Sequence, residues 1–135
     1  ALTMLGTLAF YAQDYDSAQT YFVDARRIEF SDQEATLGLA RVFLATEKYD
    51  MASAELAKLV RASPGAWFPK YLQSVVALRK QDYRTASEKA SVVINDNPEY
   101  LPAYFVVAVA SVGLEEYETA RQRVNKLLAS APNHV

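Results

Sequence analysis

Cysteine is absent from this 135-residue chain, and its single histidine, His134, is the second-to-last residue. Without cysteine, the chain has no disulfide framework and no thiolate chemistry. A lone histidine at that position does not support a catalytic triad or a zinc site. The four glycines are scattered, so there is no glycine-rich loop to cradle a phosphate. We therefore predict that the chain is not an enzyme and has no catalytic residues, no metal site and no cofactor.

The chain also lacks an excess of basic residues and a long apolar run. Lys and Arg number 14 against 16 Asp and Glu, which gives a net charge of −2 and a pI near 5.4. A nucleic-acid partner would favour a basic surface, so none is predicted. The longest apolar run, residues 103–114, is too short to cross a bilayer. The remaining class of partner is a protein or peptide.

A 34-residue period runs through the whole sequence without insertion or deletion. Tyrosine and alanine, three residues apart, recur in every period: Tyr15 and Ala18, Tyr49 and Ala52, Tyr83 and Ala86, Tyr117 and Ala120. Twelve residues before each alanine stands a small residue: Gly6, Ala40, Ser74 and Ala108. Twelve residues after it come Phe30, Pro64, Pro98 and Pro132. A fixed period of this length is typical of stacked two-helix repeats.

These residues resemble the tetratricopeptide repeat, with its small residue in the first helix, its Tyr-x-x-Ala turn and its closing proline. The resemblance implies an all-α fold, a right-handed α-solenoid of four helix-turn-helix repeats with about eight helices. It covers residues 1–135 as one domain, with repeats at about 1–32, 33–66, 67–100 and 101–135. Residue 1 falls inside the first predicted helix, and residues 132–135 resemble the start of a fifth repeat. We therefore expect a piece of a longer array.

Local signals place several helix ends. Asp14 and Asp82 precede the repeated tyrosine and suit the N-cap of the second helix of their repeats. Ser31, followed three residues later by Glu34, predicts a capping box for the next helix. Asn97 is predicted to cap the first helix of the fourth repeat, with Pro98 in its first turn.

The resemblance also implies that the first helix of each repeat, helix A, lines a concave groove. The residues at the corresponding positions are mostly apolar, and a contiguous apolar surface usually marks a binding site. Lysine and asparagine are missing from these positions, so a carboxylate clamp is not predicted. The residues predicted to bind a partner are Phe10, Leu37, Arg41, Leu44, Phe68, Tyr71, Leu72, Val75, Arg79, Phe105, Val106 and Val109.

Two functions remain open at this point. The first is a protein-interaction scaffold whose groove binds an apolar peptide or helix. The second is a structural assembly unit that self-associates, as a homo-oligomer, through uncapped ends or through the groove. The same apolar stripe also fits burial by flanking repeats or by a second copy of the chain.

A narrower resemblance concerns the last two repeats. Residues 97–103, and the entry of the third repeat at Phe68 and Pro69, look like bacterial envelope repeat proteins of exopolysaccharide export and PEP-CTERM sorting. That resemblance implies a periplasmic or envelope-associated protein, and a cytoplasmic location is the alternative.

Overall fold

A computed structural model describes residues 1–29 and 31–130 of the chain. These residues form eight α-helices and no strand, which confirms the predicted all-α helical-repeat fold. The predictions that concern Phe30, Pro132 and His134 lie outside the described residues. The helices are α1 Leu2–Tyr11, α2 Tyr15–Ile28, α3 Gln33–Ala45, α4 Tyr49–Ala62, α5 Trp67–Arg79, α6 Tyr83–Asp96, α7 Leu101–Gly113 and α8 Tyr117–Ser130.

The helices belong to two compact units, Ala1–Gly65 and Ala66–Val135, which we call unit 1 and unit 2. Unit 1 contains the hairpins α1–α2 and α3–α4, and unit 2 contains α5–α6 and α7–α8. We call the second helix of each repeat helix B. Within each unit, helix B of the first hairpin packs on helix A of the second hairpin, α2 on α3 and α6 on α7. The boundary at Gly65 lies within the predicted second repeat, one residue before its end. The single array over the whole chain stays a prediction.

Every turn between helix A and helix B uses the same backbone geometry. The residue before the N-cap position has a positive φ of 61–62° in all four repeats, at Gln13, Glu47, Gln81 and Glu115. The next amide donates to the carbonyl five residues earlier, as Asp14 does to Ala9 at 2.9 Å. A left-handed residue followed by this bond satisfies the free carbonyls at a helix C-terminus. The 34-residue sequence period is therefore accompanied by the same turn conformation in all four repeats.

The small register position of helix A is buried in every repeat. Gly6, Ala40, Ser74 and Ala108 are all buried. The repeated alanines of helix B, from Ala18 to Ala120, are buried as well. Small side chains on both helices let the backbones approach closely, because the distance between axes depends on the residues at the contact.

Two of the four predicted caps are confirmed. Asp14 and Asp82 accept hydrogen bonds from the amides of Ser17 and Thr85, three residues on. Ser31 was the wrong residue: the cap of α3 is its neighbour Asp32, which accepts from the amide of Ala35.

The prediction for the fourth repeat was also wrong. Asn97 ends α6 instead of starting α7, and Pro98 lies in the turn that follows. Helix α7 begins after Tyr100, and Pro102 is the proline in its first turn. Proline is tolerated there because the amides of the first turn have no partner within the helix.

We expect Ala86→Leu to lower the free energy of unfolding by about 1–3 kcal/mol, because Ala86 is fully buried where α6 meets its neighbours. Chemical denaturation followed by circular dichroism measures the change. Ala62→Leu, at an exposed position in the last turn of α4, is the control. A neutral Ala86→Leu variant would contradict the assigned register.

Candidate partner-binding faces

Unit 1 has a pocket on the face of its two A helices, with a volume of about 260 Å³. Three of the predicted residues, Phe10, Leu37 and Arg41, line it together. The other lining residues are Thr7, Phe22, Glu34 and Gly38. Leu44, the fourth residue predicted in this unit, is half-buried on α3 and does not line the pocket.

The ring of Phe22, on α2, lies between glycines of the two A helices. A Cβ atom added to Gly6 would lie 2.6 Å from Cε1 of Phe22, and one added to Gly38 would overlap the same ring. Neither glycine can therefore be replaced without moving the ring. Phe22 lies four residues after the repeated Ala18 and is not one of the residues predicted to bind a partner. The sequence did carry a signal for this contact, namely the glycines Gly6 and Gly38 in the two A helices that flank the ring.

Arg41 brings a positive charge to the pocket. Its guanidinium lies over the ring of Phe10, 4.8 Å from the centroid, and 5.6 Å from the centroid of Tyr11. Nη2 of Arg41 also donates to the hydroxyl of Tyr11 at 3.3 Å. Contacts of this kind hold a guanidinium in place at modest cost in solvation. With Glu34 also lining the pocket, the site combines an apolar floor with one charge of each sign.

Unit 2 has a cluster of four aromatic side chains: Trp67, Phe68, Tyr71 and Tyr100. The ring centroids of Trp67 and Tyr100 are 4.6 Å apart, those of Tyr71 and Tyr100 are 5.0 Å apart, and Phe68 stacks on Tyr71 at 6.1 Å. All four side chains are half-buried. Phe68 and Tyr71 were predicted, whereas Trp67 and Tyr100 were missed because they lie outside the groove positions of the repeat.

Burial raises the pKa of Tyr71 above its usual value, and the charge of Tyr100 and a hydrogen bond between the two hydroxyls raise it further. Burial also raises the pKa of Tyr100, although the bond to Tyr71 acts in the opposite direction. A phenol is already neutral at physiological pH. The cluster is therefore an uncharged aromatic surface with two polar hydroxyl groups.

The other predicted residues of unit 2 are divided between surface and core. Phe105 is 58% exposed, Arg79 is exposed, and Val75 and Val109 are half-buried. Leu72 and Val106 are only 7% and 2% exposed, so they present almost no surface to a partner.

The same repeat position in unit 1 is held by Gly38, whose missing side chain leaves room for Phe22 of the preceding hairpin. Within unit 1 this position therefore contacts the preceding hairpin. Val106 likewise belongs to the hydrophobic core of unit 2.

A larger cavity in unit 1, of about 740 Å³, lies between α2, α3 and α4. Arg26, Arg27 and Lys58 contribute charged groups, and Val23 and Leu59 contribute apolar surface. Arg26 pairs with Glu55, with 2.6 Å between Nη1 and Oε2, and Lys58 lies 3.3 Å from Oε1 of the same carboxylate. Glu55 is buried, so this ion pair belongs largely to the packing between the two hairpins.

No group of three acidic or histidine side chains able to hold a metal ion occurs among residues 1–29 and 31–130. In the same described ranges, no helix combines the length and the apolar character needed to cross a membrane.

Residues 3–66 match the family model described as tetratricopeptide repeat. The first two hairpins thus match tetratricopeptide repeats, and the same register and turn geometry in all four hairpins make the whole chain similar to this family. The sequence has no significant match among curated proteins.

Solved structures of tetratricopeptide repeat proteins share the fold at low sequence identity. MamA from Desulfovibrio magneticus RS-1, from residue 41 to its end, has a TM-score of 0.90 at 19% identity, over 98% of this chain and 75% of that chain. TTC0263, a thermophilic TPR protein in Thermus thermophilus, has a TM-score of 0.83 at 21% identity, over 97% of this chain and 73% of that chain. YrrB, described as a TPR protein with an unusual peptide-binding site, has a TM-score of 0.83 at 18% identity, over 96% of this chain and 66% of that chain.

At these identities the structural likeness establishes the fold alone. Tetratricopeptide repeats in general mediate protein–protein interaction, and this is the coarse role that the match of residues 3–66 indicates. The resemblance to bacterial envelope proteins stays a prediction.

Proposed function

We propose that this tetratricopeptide repeat scaffold binds a peptide or helix with apolar side chains through the faces of its A helices. The pocket of unit 1 is the observation that carries the proposal. Its volume of about 260 Å³ is enough for one large apolar side chain of a partner, and its lining includes the rings of Phe10 and Phe22. Concave, mostly apolar sites with a few placed polar groups are typical of ligand binding.

The charges of this pocket favour a particular kind of segment. Arg41 offers a cation that is held by two aromatic rings, and Glu34 offers an anion. An apolar side chain flanked by residues of both charges, as on an amphipathic helix, matches this arrangement. Unit 2 offers a different surface, with the aromatic cluster and the exposed ring of Phe105. Aromatic side chains of this type are the common anchors of protein interfaces.

The test uses a ligand selected from a peptide library with the wild-type chain. We expect Tyr71→Glu/Phe105→Glu to weaken binding of a ligand of unit 2 at least about tenfold, because a charge would replace each aromatic contact. Arg41→Glu should likewise weaken binding of a ligand of the unit 1 pocket, because it replaces the positive charge of Arg41 with a negative one. Fluorescence anisotropy measures both effects.

Ile28→Glu is the matched control, since it places the same charge at an exposed apolar position of α2 that lines neither face. All variants should keep the helicity of the wild type. If the folded variants bind every selected ligand as tightly as the wild type does, the A-helix faces are not the binding site.

A further inference from the structure

The larger cavity of unit 1, of about 740 Å³, is separate from the smaller pocket on the A-helix face. It lies between α2, α3 and α4, and the two sites have no lining residue in common. The division is visible along α3, where Gln33 and Thr36 line the cavity while Glu34 and Leu37 line the pocket. The two sites can therefore be occupied and tested independently.

A small side chain in unit 1 stands where unit 2 has a large one. Two 34-residue periods after Thr36 comes Tyr104, at the same place in α7. Tyr104 is buried in the core of unit 2, and its hydroxyl donates to the carbonyl of Pro98 at 3.0 Å. Thr36 lacks a ring, and its hydroxyl donates to the carbonyl of Asp32 at 3.0 Å. We attribute the opening beside Thr36 to this difference in size.

The cationic wall of the cavity is likewise particular to unit 1. Arg26 and Arg27 of α2 have the counterparts Ile94 and Asn95 in α6. Ile94 belongs to the hydrophobic core of unit 2, where α6 packs on α7. Packing between a helix B and the next helix A therefore does not require an arginine at this position.

The charges around the cavity do not balance. Among the described residues that line it, three are cationic and none is acidic. Arg26 and Lys58 share one buried carboxylate, that of Glu55, at 2.6 and 3.3 Å. Arg27 pairs with Asp24 at 3.3 Å, but both side chains are exposed, and such surface pairs contribute little. The cavity therefore has an excess of positive charge, although the net charge of the chain is −2.

Apolar surface lies beside these charges, and the site is open to solvent. Val23 of α2 and Leu59 of α4 line the cavity. The side chains of Arg27 and Lys58 are 77% and 51% exposed. Sites for small molecules usually enclose most of the ligand surface. An open site with cations on two helices is better suited to a protein segment that carries more than one carboxylate.

We propose that this cavity binds an acidic segment of a partner protein, in which carboxylates flank an apolar side chain. The apolar side chain contacts Val23 and Leu59, and the carboxylates accept hydrogen bonds from Arg27 and Lys58. Both cations are at least half exposed, so they can turn to a ligand at little cost. The proposal does not depend on the A-helix faces, because it uses other residues.

A peptide array provides the first test. It presents short peptides in which aspartates or glutamates flank one apolar residue, and each has a matched copy with asparagine or glutamine instead of the acids. We expect the wild-type chain to bind acidic peptides and not their amide copies, because the cavity has an excess of positive charge. Binding should weaken as the salt concentration rises, since Arg27 and Lys58 are exposed to solvent.

Charge variants locate the site of binding. For the acidic peptide that binds most tightly, Arg27→Gln and Lys58→Gln should each weaken binding at least about fivefold, as measured by fluorescence anisotropy. Arg61→Gln is the matched control. It removes the same charge from an exposed position in the last turn of α4 that does not line the cavity.

Thr36→Tyr tests the cavity itself, because it introduces the side chain that unit 2 has at this position. It should weaken binding at least about tenfold by filling the space. Thr20→Tyr is its control: both threonines donate their hydroxyl to the carbonyl four residues earlier, but Thr20 is exposed and does not line the cavity. Circular dichroism reports whether each variant keeps its helices, and the charge variants decide the question if Thr36→Tyr unfolds.

The proposal is overturned if acidic peptides bind no better than their amide copies, or if folded Arg27→Gln binds as tightly as Arg61→Gln. It is also overturned if Arg41→Glu weakens binding more than Arg27→Gln does, since the peptides would then occupy the smaller pocket. Free glutamate that competes as well as the peptide would show a site for a small anion instead. Each of these failures leaves the proposed function of the A-helix faces standing.

Discussion

Phe22→Ala is expected to lower the free energy of unfolding by about 3–5 kcal/mol, as is usual for the loss of a buried phenylalanine. The side chain is buried, and its ring lies between Gly6 of α1 and Gly38 of α3. Neither glycine has a side chain that could move into the vacated space, so the cavity would stay open. Urea denaturation followed by circular dichroism measures the loss.

A second pair of variants tests the same contact from the glycine side. Gly→Ala within a helix normally stabilises by up to about 1 kcal/mol. Gly38→Ala should instead destabilise, because the new Cβ would overlap the Phe22 ring. The penalty should shrink in the Phe22→Leu background, where the ring is absent. Gly65→Ala, with nothing within 4 Å of the new atom, is the control. Equal effects of Gly38→Ala in both backgrounds would contradict the contact.

Much of the fold could be predicted because the period makes every repeat a test of the others. Helices α2, α4, α6 and α8 each begin at the repeated tyrosine, at the same place in the 34-residue period. The small residues from Gly6 to Ala108 share one position of the period, and all four are buried. Four copies of one pattern reduce the chance that a single residue misleads.

The errors in the fold have local causes. Ser31 and Asp32 both have a side chain that can cap a helix, and only the path of the backbone selects Asp32. Asn97 and Pro98 also carry the signals of a helix start, yet the helix begins three residues later, at Leu101. A residue type that favours helix ends does not determine which helix it caps, and Asn97 in fact ends α6.

The binding faces were harder to predict than the helices. The register correctly grouped Leu72 and Val106, but it did not say whether their position is exposed to a partner or buried. Likewise, Phe22 is an ordinary core residue in the pattern, and it becomes the floor of a pocket through the missing side chain of Gly38. Which neighbour a position faces is a property of packing between helices, and periodicity along one helix does not contain it.

The second large effect concerns the ion pair between the hairpins of unit 1. We expect Arg26→Met to lower the free energy of unfolding by about 3 kcal/mol, near the lower end for breaking a buried pair, because Arg26 is itself partly exposed. The two guanidinium nitrogens reach both oxygens of Glu55, at 2.6 and 3.4 Å. Without Arg26, the buried carboxylate keeps the amine of Lys58, whose side chain is 51% exposed and therefore a weaker partner.

The neighbouring pair provides a matched control within the same helix. Arg27 lies 3.3 Å from Asp24 and both side chains are exposed, so Arg27→Met should cost less than about 1 kcal/mol. Arg26→Met/Glu55→Met should recover most of the stability lost in Arg26→Met, since it removes the unpaired charge and leaves an apolar contact between α2 and α4. Comparing the single and double variants separates the free-energy cost of an unpaired buried carboxylate from that of losing the long Arg26 side chain. If Arg26→Met were no worse than Arg27→Met, Glu55 would have to be solvated, contrary to its burial in the structure.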